Sequence, residues 1–214
     1  MENLAQYIDH TILKPEANNE AIINICQEAE LYKFRSVCVN PVNAALAKKH
    51  LPTVDLCCVV GFPLGQNATE IKVAETRLAI ENGANEIDMV INVGWLKSKE
   101  YKKVYKDIKA ICEVCHQGGA ILKVIIETCL LSDDEKIIAC LLAVQADADF
   151  VKTSTGFSSG GATLEDIALM RKVVGNKIGV KASGGIRDRE KAIAMLEAGA
   201  NRIGASSSIK IINK

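Results

Sequence analysis

The chain has 214 residues, 49% apolar and 24% charged, with nine aromatic residues and 26 cations matched by 26 anions. A chain of this length buries about 71% of its unfolded surface, enough for one sizeable core, and this composition excludes disordered, collagen-like and coiled-coil chains. Zero net charge removes the long-range positive field that nucleic acid or an anionic membrane requires, so a charged ligand has to be met by local groups.

The first fourteen residues carry Glu2, Asp9 and His10 with neither a basic nor a long apolar region, and read as mature protein rather than a targeting signal. Strands are then predicted at 7–11, 35–39, 55–60, 86–91, 121–126, 149–153, 178–182 and 202–204, each a short apolar or β-branched run, with helical patterns between them. Ser132 with Glu135 spells a capping box, Thr163 with Asp166 a similar helix start, and Gly83 and Gly199 stand at helix ends. The longest apolar stretch, 137–144, is far short of the roughly 20 residues that span a bilayer, so no membrane partner is expected.

Eight cysteines without a secretion signal, several inside apolar runs (Cys57, Cys58, Cys140), read as reduced, mostly buried thiols of a cytoplasmic protein. Cys112, Cys115 and His116 spell C-x-x-C-H, a pattern of haem attachment or half a zinc site. No second ligand pair stands at matching spacing and the stretch lies late in a helical pattern, so a packing role is the expectation and no metal site is assigned.

No linker, low-complexity tract or composition break interrupts the chain, which is read as one domain, 1–214. Glu-Asn-Gly-Ala-Asn-Glu-Ile at 81–87 is echoed by Glu-Ala-Gly-Ala-Asn-Arg-Ile at 197–203, both at a helix-to-strand junction, as expected of a copied βα unit. Strands that alternate with helices pair in parallel, and eight such units close an α/β, (β/α)8 TIM barrel. An open doubly wound sheet is the alternative, but no G-x-G-x-x-G follows the first strand. In a barrel the chemistry sits at the C-terminal ends of the strands.

Four consecutive strands carry an ionisable residue where an apolar one belongs: Asp88, Lys123, Lys152 and Lys181. An isolated strand-end lysine can reach water along its own stem, but four in succession point to a charged lumen. Lys152 and Lys181, on adjacent strands, would repel by about 2.8 kcal/mol at about 6 Å and an effective dielectric of about 20, which favours loss of a proton from one of them. A neutral amine attacks aldehydes, and Asp88 is placed to hold the second lysine charged or to pass protons. After the last two strands, Ser183-Gly184-Gly185 and Gly204-Ala205-Ser206-Ser207-Ser208 offer close backbone N–H groups and hydroxyls, the makings of a phosphate site.

Several long motifs then stand in order: Gly61-Phe62-Pro63-Leu64-Gly65, Glu86-Ile87-Asp88-Met89-Val90-Ile91-Asn92, Val151-Lys152-Thr153-Ser154-Thr155-Gly156-Phe157 and Val180-Lys181-Ala182-Ser183-Gly184-Gly185-Ile186-Arg187. They resemble the deoxyribose-phosphate aldolase family, and the resemblance runs from Tyr7-Ile8-Asp9-His10-Thr11 through Gly204-Ala205-Ser206-Ser207. It implies a (β/α)8 class I aldolase, without metal or organic cofactor, that cleaves 2-deoxyribose 5-phosphate reversibly to glyceraldehyde 3-phosphate and acetaldehyde. Lys152 matches the family's Schiff-base lysine, and Asp88 with Lys181 its proton-transfer pair. Gly184, Gly185, Gly204, Ser206 and Ser207, with Thr155 and Gly156, match its substrate and phosphate contacts, and Asp9, Thr11, Cys38 and Lys123 match supporting positions. A homodimer is compatible with the family, although no interface is legible. Two departures stand out: Phe157 occupies a position that is basic in some members and is expected to pack beneath the 158–161 loop, and the C-terminal tail is short. The alternatives are a lysine-dependent aldolase for another phosphorylated aldehyde or ketone, a sugar-phosphate isomerase that forms no covalent adduct, and a non-enzymatic metal or haem module built on Cys112, Cys115 and His116.

Overall fold

The computed structural model describes residues 3–213; Met1, Glu2 and Lys214, on which the readings of the leader and the tail partly rest, lie outside the described residues. Strand and helix alternate: β1 Ile8–Thr11, α1 Asn19–Tyr32, β2 Ser36–Val39, α2 Ala44–Lys49, β3 Asp55–Val60, α3 Thr69–Glu81, β4 Glu86–Val90, α4 Val93–Lys97, α5 Tyr101–Gln117, β5 Ile121–Ile125, α6 Asp133–Gln145, β6 Phe150–Lys152, α7 Leu164–Val174, β7 Gly179–Ser183, α8 Arg189–Glu197, β8 Arg202–Ala205 and α9 Ser208–Ile212. Neighbouring strands are parallel, and β8 closes on β1 with Ile8 beside Ile203 and Asp9 beside Gly204. The fold is the (β/α)8 TIM barrel, and the closure removes the open-sheet alternative. Each predicted strand is present, with bounds that differ by no more than one residue at either end.

Alternation along each strand divides the side chains between two environments. One set, including Val37, Val39, Leu56, Ile87, Met89, Leu122, Val124, Val151, Val180 and Ile203, packs outward under the helices as the main core. Each such side chain, fully buried, contributes about 1.5–3 kcal/mol. The other set faces the lumen and is largely polar. The helices begin where expected: Ser132 and Glu135 form both halves of the capping box, and the Thr163 hydroxyl accepts from Asp166 N–H.

The internal repeat has a physical cause. Asn85 and Asn201 each donate N–H to, and accept through Oδ1 from, the backbone of the preceding strand, at Leu56 and Val180 respectively. Asp149 makes the same two-way bond with Leu122 without the rest of the motif.

Cys112 and Cys115 lie on α5 with their thiols buried, and Cys112 Sγ donates to Asp147 O at 3.1 Å. Burial pushes these thiols up to about 11 and about 12. His116 instead faces Asp149, 3.0 Å away. The C-x-x-C-H pattern is therefore the inward face and edge of a helix. All eight cysteines are free, and Cys129 is the exposed one. Among the described residues no helix is long and apolar enough to cross a membrane.

Candidate active site

The strand charges meet inside the barrel. Asp88 on β4 accepts from Lys152 Nζ on β6 and from Lys181 Nζ on β7 through the same oxygen, Oδ2, both at 2.7 Å, and from Lys123 Nζ on β5 through Oδ1 at 2.8 Å. Strand β4 neighbours neither β6 nor β7, so the contacts to Lys152 and Lys181 cross the lumen. Lys181 is also paired with Asp9 on β1. Deeper in the lumen Arg202 Nη1 on β8 binds Asp9 Oδ1 at 2.6 Å and Glu86 Oε2 at 3.0 Å, while Lys123 Nζ lies 2.5 Å from Glu86 Oε2. Three carboxylates and four cations thus form one continuous network with a net charge of one positive unit.

Burial alone would raise the carboxyl of Asp88, but Lys123, Lys152 and Lys181 outweigh it and hold Asp88 well below the usual carboxylate range. Asp9 is likewise held below its ordinary value against burial by Lys181, Arg202 and Lys123. Lys123, Lys181 and Arg202 are pushed the other way: burial favours their neutral forms, and the surrounding carboxylates more than offset it. At an effective dielectric of about 20, each Asp88 contact at 2.7 Å is worth about 6 kcal/mol before desolvation. Lys152 and Lys181 share one oxygen, so they lie within about 5.4 Å of each other, where their repulsion is at least about 3 kcal/mol. The crowding expected from the sequence is present, and a carboxylate oxygen sits between the two amines.

Lys152 ends β6 at the C-terminal mouth and its side chain is 4% exposed, whereas Lys123 is fully enclosed between Glu86 and Asp88. Lys152 is therefore the lysine nearest the opening. Thr153 and Ser183 lace the ends of β6 and β7 together: Thr153 Oγ1 donates to Ser183 O at 3.0 Å, and Ser183 Oγ to Ser154 O at 2.7 Å. Cys38 lines the lumen beside Leu13, Cys57 and Val59. Its thiol is lowered chiefly by a hydrogen bond with Cys57, against the effect of burial. Cys38 Sγ, Cys57 Sγ and an Asp88 oxygen lie within 4.8 Å of one another, a spacing that suits a metal ion. The Asp88 oxygens are already taken by three ammonium groups, however, and a cation there would have to displace them. Thr11 Oγ1 donates to Asp9 O at 2.8 Å.

The loops after β7 and β8 lie on the Lys181 side of the mouth. Gly184 has φ +89°, and a Cβ there would stand 2.9 Å from Gly161 Cα, so only glycine lets the two loop backbones touch. Gly204 answers to packing as well, since a Cβ would approach Lys181 Cε to 3.1 Å. Ser206 is exposed and Ser207 half-buried. Thr155 and Gly156 belong to a different group. The Thr155 hydroxyl donates to the buried Glu127 at 2.5 Å and accepts from Phe157 N–H, so its hydrogen bonds hold its own loop. Phe157 corrects the sequence expectation: it is 52% exposed and packs edge-on against Phe62 with centroids 5.3 Å apart, rather than beneath the 158–161 loop. An exposed ring one step from a tight glycine turn finds its apolar partner across the mouth. A separate cavity of about 630 Å³ opens at the N-terminal end of the barrel beside Arg171 and Asn201 and is lined by none of the three lysines or the arginine of the lumen.

The sequence reading missed Glu86 and Arg202 as members of the network. Period-two spacing carries the signal, since Glu86 is two residues from Asp88 and Arg202 two from Gly204, which places each pair on one strand face. Glu127 was missed too; its backbone is left-handed at φ +57°, and no sequence pattern announces that.

A family model described as DeoC/LacD family aldolase matches residues 3–214. A deoxyribose-phosphate aldolase of Clostridium tetani is 57% identical over 213 residues, covering 99% of this chain and 98% of its own length. One of Thermococcus gammatolerans is 58% identical over 214 residues, covering 98% and 95%. Among solved structures, the aldolase QR15 superposes with a TM-score of 0.96 at 44% identity, over 99% of this chain and 95% of its own. The tetrameric deoxyribose phosphate aldolase from Aeropyrum pernix gives 0.90 at 37%, over 97% and 88%. With its charged lumen, its barrel and its relatives in agreement from end to end, the chain belongs to the DeoC/LacD family of aldolases.

Proposed function

We propose that the protein is a class I aldolase that reversibly cleaves 2-deoxyribose 5-phosphate to glyceraldehyde 3-phosphate and acetaldehyde, with Lys152 as the Schiff-base lysine. The observation that carries this reading is the shared Asp88 oxygen: it holds Lys152 and Lys181 at 2.7 Å each, while Lys181 has Asp9 as a second anion. Of the two amines at the mouth, Lys152 is held by one carboxylate and Lys181 by two, and Lys152 is the one nearer the opening. The names of relatives at 57–58% identity support the substrate.

Neutral Lys152 attacks the C1 aldehyde of the open-chain sugar and loses water to form an iminium. The iminium carries the same single positive charge as the ammonium it replaces, so its ion pair with Asp88 is retained. The C3 hydroxyl gives its proton to water at the mouth, which carries it to solvent; the C2–C3 bond breaks as the C3–O bond becomes the carbonyl of glyceraldehyde 3-phosphate, and the electron pair is taken up by the iminium to give an enamine. Asp88, held far below its ordinary pKa, stays a carboxylate throughout; Lys181 and bound water carry the proton that converts the enamine back to an iminium, whose hydrolysis frees acetaldehyde.

The phosphate is read onto the backbone and hydroxyls of Gly184, Gly185, Ser206 and Ser207. Where Phe157 withholds the expected cation, Lys191 offers one: its Nζ lies 3.7 Å from where a Cβ of Gly185 would stand, and among the described residues it forms no ion pair with a carboxylate. The proposal extends to a homodimer working in the cytoplasm, a compartment that keeps thiols reduced. Light scattering decides between that dimer and a tetramer.

Borohydride reduction in the presence of acetaldehyde or 2-deoxyribose 5-phosphate, followed by peptide mass spectrometry, tests the reading. A substrate-dependent adduct on Lys152, lost together with turnover in Lys152→Ala, is the expected result. Turnover without any trapped adduct would favour an isomerase and remove the Schiff base.

A further inference from the structure

Outside the lumen, a second buried polar group joins parts of the chain nearly two hundred residues apart. His10 follows Asp9 on β1, so alternation turns its ring toward the helices. There Nδ1 lies 2.8 Å from Ser208 Oγ at the start of α9, and Nε2 lies 2.7 Å from Glu28 Oε2 on α1. His10 is 4% exposed and Ser208 is fully buried. Ser208 Oγ is also within hydrogen-bond reach, 2.9 Å, of Ala205 O, and Ala205 is the residue paired with His10 across the β1–β8 ladder. Ala205 and Ser208 bracket Ser206 and Ser207.

We propose that His10 is a positioning residue for the substrate phosphate: through Ser208 it fixes the 205–208 turn that presents Ser206 and Ser207. This rests on the phosphate assignment made under the proposed function.

The Glu28 carboxylate only accepts, so Nε2 carries a hydrogen. Burial holds the ring below its ordinary pKa although Glu28 works against it, so at neutral pH the ring is neutral and Nδ1 is an acceptor. The single Ser208 hydroxyl hydrogen then turns to Nδ1 and away from Ala205 O, and Glu28 in effect fixes the tautomer that receives it. Helix α9 is five residues long and no side chain caps its start, so this buried hydroxyl is the side-chain anchor that the turn has. Without the ring, the hydroxyl falls back on Ala205 O within its own turn, the tie from the turn to β1 is lost, and two hydroxyls meant for one anion lose their fixed separation.

Two substitutions separate the two ends of the ring. The amide of Asn reaches the place of Nδ1 and keeps the Ser208 bond while giving up Glu28; the amide of Gln reaches the place of Nε2 and does the opposite. His10→Gln is expected to raise KM for 2-deoxyribose 5-phosphate about tenfold and to weaken competitive inhibition by inorganic phosphate by a similar factor, with kcat changed far less. His10→Asn is expected to shift both by less than about threefold, and cleavage of unphosphorylated 2-deoxyribose should fall much less than that of the phosphate ester in both variants. Ser208→Ala, which leaves the ring in place, is expected to behave like His10→Gln and stands in for it if that variant does not fold. Equal losses on the two sugars, or a larger phosphate effect for Asn than for Gln, overturn the proposal. A wild-type protein that cleaves the sugar but neither prefers its phosphate ester nor binds inorganic phosphate would instead remove the phosphate assignment itself.

Discussion

Replacing Lys181 by Leu tests the electrostatic core of the mechanism. The substitution removes the cation that shares Asp88 Oδ2 with Lys152. At a separation of no more than about 5.4 Å and an effective dielectric of about 20, it relieves Lys152 of at least about 3 kcal/mol of repulsion. One pH unit corresponds to about 1.4 kcal/mol, so the pH at which the amine becomes available to substrate should rise by about two units. Borohydride trapping with acetaldehyde, measured from pH 6 to pH 10, reads imine formation without the later proton transfer to the enamine. The rising limb of that profile is expected to move to higher pH in Lys181→Leu, while turnover at pH 7 drops by more than trapping does, because Lys181 also serves the enamine. A trapping profile superimposable on the wild type would refute the idea that the neighbouring ammonium governs Lys152.

Lys191→Met is expected to raise KM for the phosphorylated sugar about tenfold, the weight of one charge-assisted hydrogen bond, with a weaker salt dependence of KM than in the wild type. Arg202→Met leaves Asp9 and Glu86 without their shared guanidinium; about 3–5 kcal/mol of stability should be lost, a fall in Tm of roughly 10 °C by calorimetry, although Arg202 touches no reacting atom. Asp9 and Asp88 have folded pKa values below their unfolded ones, so the stability they add is complete above about pH 4 and is lost as pH falls further toward the folded values. Urea midpoints should therefore drop steeply below about pH 4 in the wild type and less steeply in Asp9→Asn, which starts from lower stability at pH 7; parallel curves would contradict the assignment.

The barrel was legible because most of its eight strands are short runs rich in apolar residues with a turn or cap on either side, and local patterns of that kind survive in a linear sequence. Asp88, Lys123, Lys152 and Lys181 were legible for the opposite reason: a charge among valines and isoleucines is too costly to be tolerated singly, so four in succession imply one another. What the sequence withheld is which partner each charge has. Lys181 is 93 residues from Asp88, and Arg202 is 193 from Asp9. The first pair forms only when β7 faces β4 across the lumen, and the second only when β8 reaches β1. Counting lysines gave repulsion, and of the three carboxylates that offset it only Asp88 was read against them; Asp9 stood as a supporting position and Glu86 was missed. Phe157 failed in another way: its ring is placed by Phe62, a contact between two loops that no periodicity encodes.

The charge count of the lumen constrains the proposed reaction further. With all groups ionised the lumen carries one positive unit; neutral Lys152 brings it to zero, the iminium restores the unit, the enamine removes it, and protonation restores it again. The cycle therefore never asks the network to hold more than the charge for which Asp9, Glu86 and Asp88 are already arranged, and Asp88 need never take up a proton that its three ammonium neighbours would oppose. Lys181 is in turn a reluctant net donor, because Asp9 and Asp88 stabilise its ammonium. It can give a proton to the enamine only as it receives another, so the proton that reaches the product carbon is drawn from water, with Lys181 as the relay. Cleavage run in deuterium oxide should accordingly place deuterium in the methyl group of acetaldehyde, and mass spectrometry of the product at low conversion reads this directly. Unlabelled product would mean that the hydrogen added to the enamine carbon comes from a carbon-bound, non-exchanging position of the substrate, and would remove Lys181 and water as its route.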